Sequence, residues 1–181
     1  MAGAMKKAAG ALRDAEIPFV LGGGLAAWAR GAPFSDHDVD FLVKPEDTER
    51  AIKALNEAGM RIERPPEGWL LKAYDGEVLV DVIFEPSSGP VDDAMIERGE
   101  DREVLSARMR VLALEDIMAS KLLALNETHL DFSGSLDIAR SIREQVAWDE
   151  VRERTKDSPY ARAFFTLVEE LGIVEPASAV R

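Results

Sequence analysis

Residues 19–43, FVLGGGLAAWARGAPFSDHDVDFLV, decide the fold of this 181-residue chain. The run 19–21 is short and apolar, which predicts a buried strand, and three consecutive glycines follow it directly. Glycine lets the backbone approach another group closely, and the helical pattern that resumes after the glycines ends at Gly31 and Pro33. The stretch therefore predicts a strand, a glycine turn, a small helix and a second strand.

Aspartates alternate along the second predicted strand, at Asp36, Asp38 and Asp40. Because side chains alternate between the two faces of a strand, the three carboxylates would share one face. Like charges repel there, and only a bound cation or wide exposure to water makes the arrangement tolerable. Spaced aspartates are common in solvated surface turns, but here the apolar residues 41–43 follow at once. The acids are therefore expected where a buried strand reaches the surface.

A glycine turn that opens a helix and is followed closely by acids on a strand is rarer than either feature alone. Backbone N–H groups at a helix N-terminus favour a phosphate, and a pair of carboxylates can hold Mg²⁺. The combination predicts a site for a nucleotide phosphate and its Mg²⁺.

The segments GGGLAAWARG and HDVDFLV resemble the signature of the nucleotidyltransferase superfamily, which has the polymerase-beta-like fold. The resemblance is to its small bacterial branch, which includes antibiotic nucleotidyltransferases and AbiEii-type toxins of toxin–antitoxin pairs. The family pattern is a glycine turn, a helix ending in glycine, two aspartates alternating with apolar residues, and a third acid on a later strand. It maps nucleotide binding to Gly22, Gly23 and Gly24, and the metal-binding, catalytic pair to Asp38 and Asp40.

One position departs from the family pattern. Many members carry Ser or Thr two residues before the first aspartate, whereas this chain has Asp36 there and Ser35 displaced by one. Any role of that hydroxyl therefore does not carry over, and whether Asp36 is a metal ligand stays open.

A third acid, Asp81, interrupts a strongly apolar strand. Residues 69–84 are typical of a hairpin, and Asp75-Gly76 is a favoured type I′ turn pair. A carboxylate in such a run is costly unless it is paired, binds a metal or faces water at the rim of the sheet. The resemblance implies that Asp81 completes the metal site and helps to deprotonate an acceptor hydroxyl.

Two charged residues stand out in the predicted helices 114–125 and 133–146. Lys121 lies on an apolar stripe without a local acid, so it either extends to the rim or reaches a triphosphate or an active-site carboxylate. EDIMASKLLAL resembles a recurring E-D-L-x-x-x-K-L segment of small nucleotidyltransferases, which implies the second. A second segment, LDFSGSLDIARSI, resembles one in which toxin-like members carry one more catalytic acid, which is Asp137 here. An ion pair with Arg140 on the same helix would also explain Asp137.

Further elements follow from local patterns. They are helices at 1–17, 44–58, 91–98, 149–154 and 159–171, and strands at 60–62 and, less clearly, 103–111. Four arginines make one segment locally basic; they are either solvated or able to grasp phosphates of an acceptor. These are Arg98, Arg102, Arg108 and Arg110.

Composition limits the function classes. The content of 46% hydrophobic and 31% charged residues is ordinary for a globular domain, and the absence of cysteine excludes disulfides, thiolate metal sites and cysteine nucleophiles. A formal net charge of −12 argues against a general polyanion binder, but not against a nucleic acid docked locally. No apolar run is long enough to span a membrane, and the amphipathic N-terminal segment does not resemble an export signal, so a cytoplasmic protein is expected.

The fold class expected is α+β, with a mixed, mostly antiparallel sheet, flanking helices and a C-terminal helical cluster. The expected division is a nucleotidyltransferase core at 1–112 and a helical extension at 113–181. The resemblance implies Mg²⁺-dependent transfer of a nucleoside monophosphate from a nucleoside triphosphate to an acceptor hydroxyl, with release of pyrophosphate.

Three alternatives remain for the role of this site. The toxin-like segments favour the 3′ end of tRNA as acceptor, and a cognate antitoxin would then be a partner. An acidic surface instead suits a small cationic acceptor such as an aminoglycoside or a lincosamide. A catalytically silent nucleotide-binding or partner-binding module is the third alternative, and the intact aspartates argue against it.

Overall fold

Seven strands form one mixed sheet in the computed structural model, which describes residues 1–34 and 38–176. In chain order they are β1 (Phe19–Leu21), β2 (Val39–Val43), β3 (Arg61–Glu63), β4 (Leu70–Asp75), β5 (Val78–Ile83), β6 (Glu100–Val104) and β7 (Ala107–Val111). Their order across the sheet is β3-β4-β5-β2-β1-β7-β6. The β1–β7 and β2–β5 pairs are parallel and the other four are antiparallel, which confirms the predicted fold class.

Eight α-helices flank this sheet in the same part of the chain. They are α1 (Ala2–Asp14), α2 (Gly23–Ala29), α3 (Thr48–Glu57), α4 (Asp93–Arg98), α5 (Leu114–Leu123), α6 (Ser133–Ile142), α7 (Trp148–Thr155) and α8 (Pro159–Glu170). Helix α1 contacts β5 and α3, whereas α5 packs on α2, α6, α7 and α8. None of these helices is long and apolar enough to cross a membrane.

The central strands separate an apolar face from a charged one. Val39 and Phe41 of β2 and Val80 and Val82 of β5 are fully buried, as their alternation predicts. The residues between them, including Asp40, are only half-buried and face the other way. The two strands therefore present Asp40 and Asp81 on one side, together with the buried Leu42, and pack Val39, Phe41, Val80 and Val82 into the core on the other.

The hairpin between β4 and β5 turns one residue later than the sequence predicts. Asp75 pairs with Val78, so the two turn residues are Gly76 and Glu77 and not Asp75-Gly76. Gly76 has a φ of 64°, whereas Glu77 has no positive φ. A type I′ turn needs positive φ at both positions, so the predicted turn type is wrong, and glycine at the first position is typical of type II′.

The segment predicted as one uncertain strand at 103–111 is part of a second hairpin, formed by β6 and β7. Its turn residues, Leu105 and Ser106, have φ values of 48° and 62°. This is the positive pair that a type I′ turn needs, built without glycine or asparagine.

Helix boundaries also differ from the predictions. The helix predicted at 44–58 begins as a 3₁₀ turn at Pro45–Asp47 before α3, and the helix predicted at 133–146 ends as α6 at Ile142. A 3₁₀ turn at Arg143–Gln145 follows. The division of the chain between residues 112 and 113 stays a prediction.

A buried carboxylate fixes the position of α5. Asp116 is fully buried and accepts hydrogen bonds from Nε and Nη2 of Arg98 on α4, at 3.0 and 2.8 Å, and from Nη2 of Arg154 on α7, at 2.6 Å. Two guanidinium groups offset the cost of burying one carboxylate. The helix that carries Lys121 is therefore tied to both of its neighbours.

We expect Asp116→Ala to lower the free energy of unfolding by about 2–3 kcal/mol, because its buried hydrogen bonds to Arg98 and Arg154 are lost while both arginines keep access to water. Urea unfolding followed by circular dichroism measures the loss. Asp149→Ala is the matched control, since its exposed carboxylate also pairs with an arginine, Arg152, and should cost less than about 1 kcal/mol. Equal losses in the two variants would contradict this role for Asp116.

Candidate active site

Three carboxylates meet where β2 and β5 lie side by side. Asp40 of β2 is paired in register with Asp81 of β5, and Asp38 immediately precedes β2. One carboxylate oxygen from each residue lies within 4.8 Å of the other two. The structure thus brings together the three acids that the sequence singled out, while Asp36 lies outside the described residues. We call these three residues the carboxylate cluster.

The glycine turn packs directly against Asp40. The backbone N–H of Gly22 donates to the carbonyl oxygen of Asp40 at 2.8 Å. Gly23 has a φ of 59°, and a Cβ at this position would lie 1.6 Å from Oδ2 of Asp40. Any other residue at position 23 would displace that carboxylate, so the turn and the cluster form one unit. Helix α2 begins at Gly23, two residues earlier than the sequence pattern indicates.

The protonation of the cluster is shifted by its surroundings. Burial, followed by the charges of Asp38 and Asp81, raises the pKa of Asp40 to about 7, and the nearby charge of Lys121 acts in the opposite direction. Burial and the charge of Asp38 raise the pKa of Asp81 to about 6, with Lys72 opposing the shift. A neighbouring cation would therefore stabilise the ionised form of both carboxyl groups.

The cluster fits a divalent cation. Oδ1 of Asp81 is buried and has no hydrogen-bond partner among residues 1–34 and 38–176. A buried carboxylate oxygen without a partner is costly, and oxygen atoms are the ligands that Mg²⁺ and similar hard cations prefer. Asp38, Asp40 and Asp81 are the residues that would hold the ion.

Lys121 lies between the cluster and a larger cavity. With Gly23 and Asp40 it lines a recess of about 130 Å³. With Gly24 and Asp137 it lines a cavity of about 400 Å³. In the part of the chain that the structure describes, no carboxylate lies within 4 Å of its ammonium group to form an ion pair, as its place on the apolar stripe predicts.

Asp137 is exposed on α6 and belongs to this cavity, not to the carboxylate cluster. An ion pair with Arg140 is its alternative explanation from sequence, but within the described ranges the two side chains do not pair within 4 Å. Its predicted functional role stays a prediction.

The arginines predicted as candidates for phosphate binding lie elsewhere. Arg98 is held by Asp116, and Arg102 donates to Glu100 at 2.9 Å. Arg108 and Arg110 line a groove beside Pro18 and Phe19, at the opposite end of β1 from the glycine turn. None of the four lines the recess or the cavity beside Lys121.

Three residues near the site are not indicated by the sequence. Lys72 of β4 lies directly opposite Asp81, while Phe34 and Asp131 line the cavity with Lys121. The register of the hairpin could have identified Lys72 had the turn been placed correctly. No sequence signal identifies the other two, because the loops that carry them have no periodic pattern.

Solved structures of nucleotidyltransferases share this fold. The solution structure of the antibiotic-resistance factor ANT(2″)-Ia has a TM-score of 0.60 at 16% identity, covering 94% of this chain and 96% of that one. ANT(2″)-Ia in complex with adenylyl-2″-tobramycin gives 0.61 at 14% identity, covering 91% and 98%. TM1012 of Thermotoga maritima, provisionally assigned as a nucleotidyltransferase, gives 0.51 at 18% identity, covering 65% and 80%. At these identities the likeness shows the fold.

The family itself follows from the sequence. A family model with the description "Uncharacterised nucleotidyltransferase" matches residues 1–169, so the chain belongs to this family of nucleotidyltransferases. Among proteins with curated functions, none matches significantly. The protein is therefore a transferase enzyme of the nucleotidyltransferase class, as its glycine turn and aspartates predict.

We expect Mg²⁺ to raise the melting temperature more at about pH 8 than at about pH 5, because the raised pKa values of Asp40 and Asp81 mean that the ion competes with protons at the lower pH. Without metal, the same two carboxyl groups make the protein less stable as the pH rises. Between about pH 4 and 7 Asp40 and Asp81 bind more protons in the folded state than in the unfolded state, so their contribution to stability falls as the pH rises.

Differential scanning calorimetry with and without MgCl₂ at the two pH values measures both effects. Asp40→Asn should remove most of the rise in melting temperature that Mg²⁺ causes. It should also remove part of the pH dependence of the melting temperature of the metal-free protein. A Mg²⁺ response of equal size at both pH values would contradict the assignment of these carboxylates as ligands.

We expect Gly23→Ala to abolish Mg²⁺ binding, because the added Cβ would occupy the position of the Asp40 carboxylate. Gly59→Ala is a matched control. Gly59 also has positive φ, 81°, but an added Cβ there meets nothing within 4 Å. Both variants should lose some stability from backbone strain, about 1 kcal/mol. Only Gly23→Ala should lose the heat of Mg²⁺ binding in isothermal titration calorimetry. Binding retained in Gly23→Ala would refute the dependence of the metal site on the glycine turn.

Proposed function

We propose that the protein transfers a nucleoside monophosphate from a nucleoside triphosphate to an acceptor hydroxyl, with Mg²⁺ held by Asp38, Asp40 and Asp81. The observation that supports the proposal is the carboxylate cluster, packed on the glycine turn and sharing a recess with Lys121 through Asp40. Because nucleoside triphosphates are abundant in the cytoplasm, that compartment remains our expectation for the protein.

Each residue has a distinct proposed role. Mg²⁺ bound at the cluster would offset phosphate charge and favour ionisation of a bound hydroxyl. Asp81 is proposed to accept the proton of the acceptor hydroxyl, whose ionisation the bound Mg²⁺ would favour. The acceptor oxygen forms a bond to the α-phosphorus as the bond from that phosphorus to the bridging oxygen breaks, and pyrophosphate leaves. Lys121 would stabilise the charge on the leaving pyrophosphate.

Two acceptors are proposed. Lys121 and Asp137, on which the resemblance to toxins depends, line the same cavity, and this supports the 3′ end of tRNA, with an antitoxin as a further partner. The net charge of −12 supports a small cationic hydroxyl compound such as an aminoglycoside or a lincosamide. A nucleotide-binding module without catalysis is the remaining alternative.

We expect α-labelled nucleotide to move to one acceptor class when the protein is incubated with Mg²⁺, each nucleoside triphosphate, and either total tRNA or a panel of aminoglycosides and lincosamides. Asp38→Ala and Asp40→Ala should lower the rate by at least about a thousandfold, because Mg²⁺ binding and charge neutralisation are lost. Asp14→Ala, an exposed acid at the end of α1, is the control and should keep the wild-type rate.

The outcomes separate the alternatives. Label on tRNA in the wild type alone identifies a tRNA-modifying enzyme, and label on a small compound identifies an antibiotic-type transferase. Full activity in Asp40→Ala would refute the mechanism. Binding of nucleotide with Mg²⁺ but without any transfer would favour the silent module.

A further inference from the structure

A cavity of about 400 Å³ lies beside Lys121, and none of the three residues of the carboxylate cluster lines it. It is enclosed by α2, by the segment that follows α2, and by α6. Because Lys121 also lines the recess that contains Asp40, the cavity joins the proposed phosphate site at this residue. Asp81, the proposed base for the acceptor, does not line it. The cavity is therefore placed to receive a part of the nucleotide, whereas the acceptor would approach from the side of Asp81.

The cavity has an aromatic rim. Phe34 is 52% exposed although it is large and apolar. Its ring is held edge-to-face by Trp28, with ring centroids 5.2 Å apart. The lining residues next to it, Ala27 and Ala32, are small and leave room beside the ring. An exposed, supported aromatic ring at the mouth of a cavity is suited to stacking on a flat heterocycle.

Apart from Lys121, the described polar side chains that line the cavity are those of Asp131 and Asp137, which accept hydrogen bonds. Asp137 makes no side-chain hydrogen bond or ion pair with any residue that the structure describes. Asp131 accepts from the backbone N–H of Ser133 at 2.8 Å through one of its oxygens, Oδ1. Carboxylates repel phosphate groups and accept hydrogen bonds from amino groups. The part of this cavity lined by Asp131 and Asp137 therefore fits a base with an amino group better than it fits the phosphates.

The four bases differ in what they offer to a carboxylate. Adenine and cytosine each carry an exocyclic amino group, and guanine carries one next to a ring N–H. Uracil has no exocyclic amino group, and its ring N–H lies between two carbonyl oxygens, which a carboxylate repels. A cavity lined by Asp137 should therefore discriminate against uracil.

We propose that this cavity binds the nucleobase of the donor nucleotide, with Phe34 stacked on the base and Asp137 accepting a hydrogen bond from its exocyclic amino group. The enzyme then prefers ATP, GTP or CTP over UTP. This inference rests on the proposed function, because it requires the triphosphate to lie between Asp40 and Lys121. It gives Asp137 a role in substrate selection, where the resemblance to toxins implied only a functional acid.

The test is Mg²⁺-dependent binding of the four nucleoside triphosphates to the full chain, measured by isothermal titration calorimetry. Wild type should bind UTP at least about tenfold more weakly than the best of the other three. Asp137→Asn should narrow this difference, because its amide can also donate to a carbonyl oxygen of uracil. Phe34→Ala should lower the affinity for each of the four nucleoside triphosphates by about tenfold, because the stacking interaction is lost. Leu130→Ala, equally exposed at 55% but outside the cavity, should change none of them.

Several results would overturn the inference. One is equal binding of UTP and the other nucleotides by the wild type, and another is an unchanged ratio in Asp137→Asn. A third is that the two variants raise the KM of the acceptor and leave the KM of the nucleotide unchanged, which would assign the cavity to the acceptor. In all three cases nucleotide binding and transfer survive, so the proposed function stands. Absence of Mg²⁺-dependent nucleotide binding in the wild type would instead refute both.

Discussion

Repulsion among three carboxylates is the constraint to which the rest of this structure is adapted. The pairing of β2 with β5 places Asp40 directly beside Asp81, and like charges in that position destabilise a sheet. The same two strands bury Val39, Phe41, Val80 and Val82 on their other face, and that burial holds the register. A slip by one residue would move the acids onto the face that these four apolar side chains now fill, and the apolar side chains onto the face of the acids. The apolar face of these strands therefore fixes the geometry of the charged face.

The surrounding elements fit around this geometry in two ways. The backbone of the glycine turn approaches Asp40 so closely that position 23 has no room for a side chain. Helix α5 brings the ammonium group of Lys121 to the recess that Asp40 and Gly23 line, and the buried Asp116 holds that helix between Arg98 and Arg154. The position of Lys121 thus depends on an ion pair network one and a half turns earlier in the same helix, far from the chemistry.

The sequence was enough to single out the three aspartates that the structure brings together, because they belong to one short stretch and one strand. The glycines, Asp38 and Asp40 are close in sequence, and Asp81 is conspicuous as a charge in an apolar run. The register of the hairpin was not predicted correctly. A turn at Asp75-Gly76 would pair Asp81 with Leu70, whereas the actual turn pairs Asp81 with Lys72. The sequence also contains no signal for positive φ at Leu105 and Ser106, since non-glycine residues rarely adopt it. The network around Asp116 joins helices distant in sequence, so no local pattern predicts it.

The distribution of charge around Lys121 has a consequence for how nucleotide and metal bind. Among the described residues that line the recess and the cavity, Lys121 is the single cation, whereas Asp40, Asp131 and Asp137 are acids. A triphosphate carries more negative charge than one lysine can offset, and the chain as a whole carries −12. Most of the favourable electrostatic interaction must then come from a cation at the carboxylate cluster. Metal and nucleotide should therefore each increase the affinity of the other by the same factor, since coupling between two binding events is reciprocal. Under this arrangement charge supplies the affinity for phosphate, while stacking and hydrogen bonding in the cavity are left to distinguish one nucleotide from another.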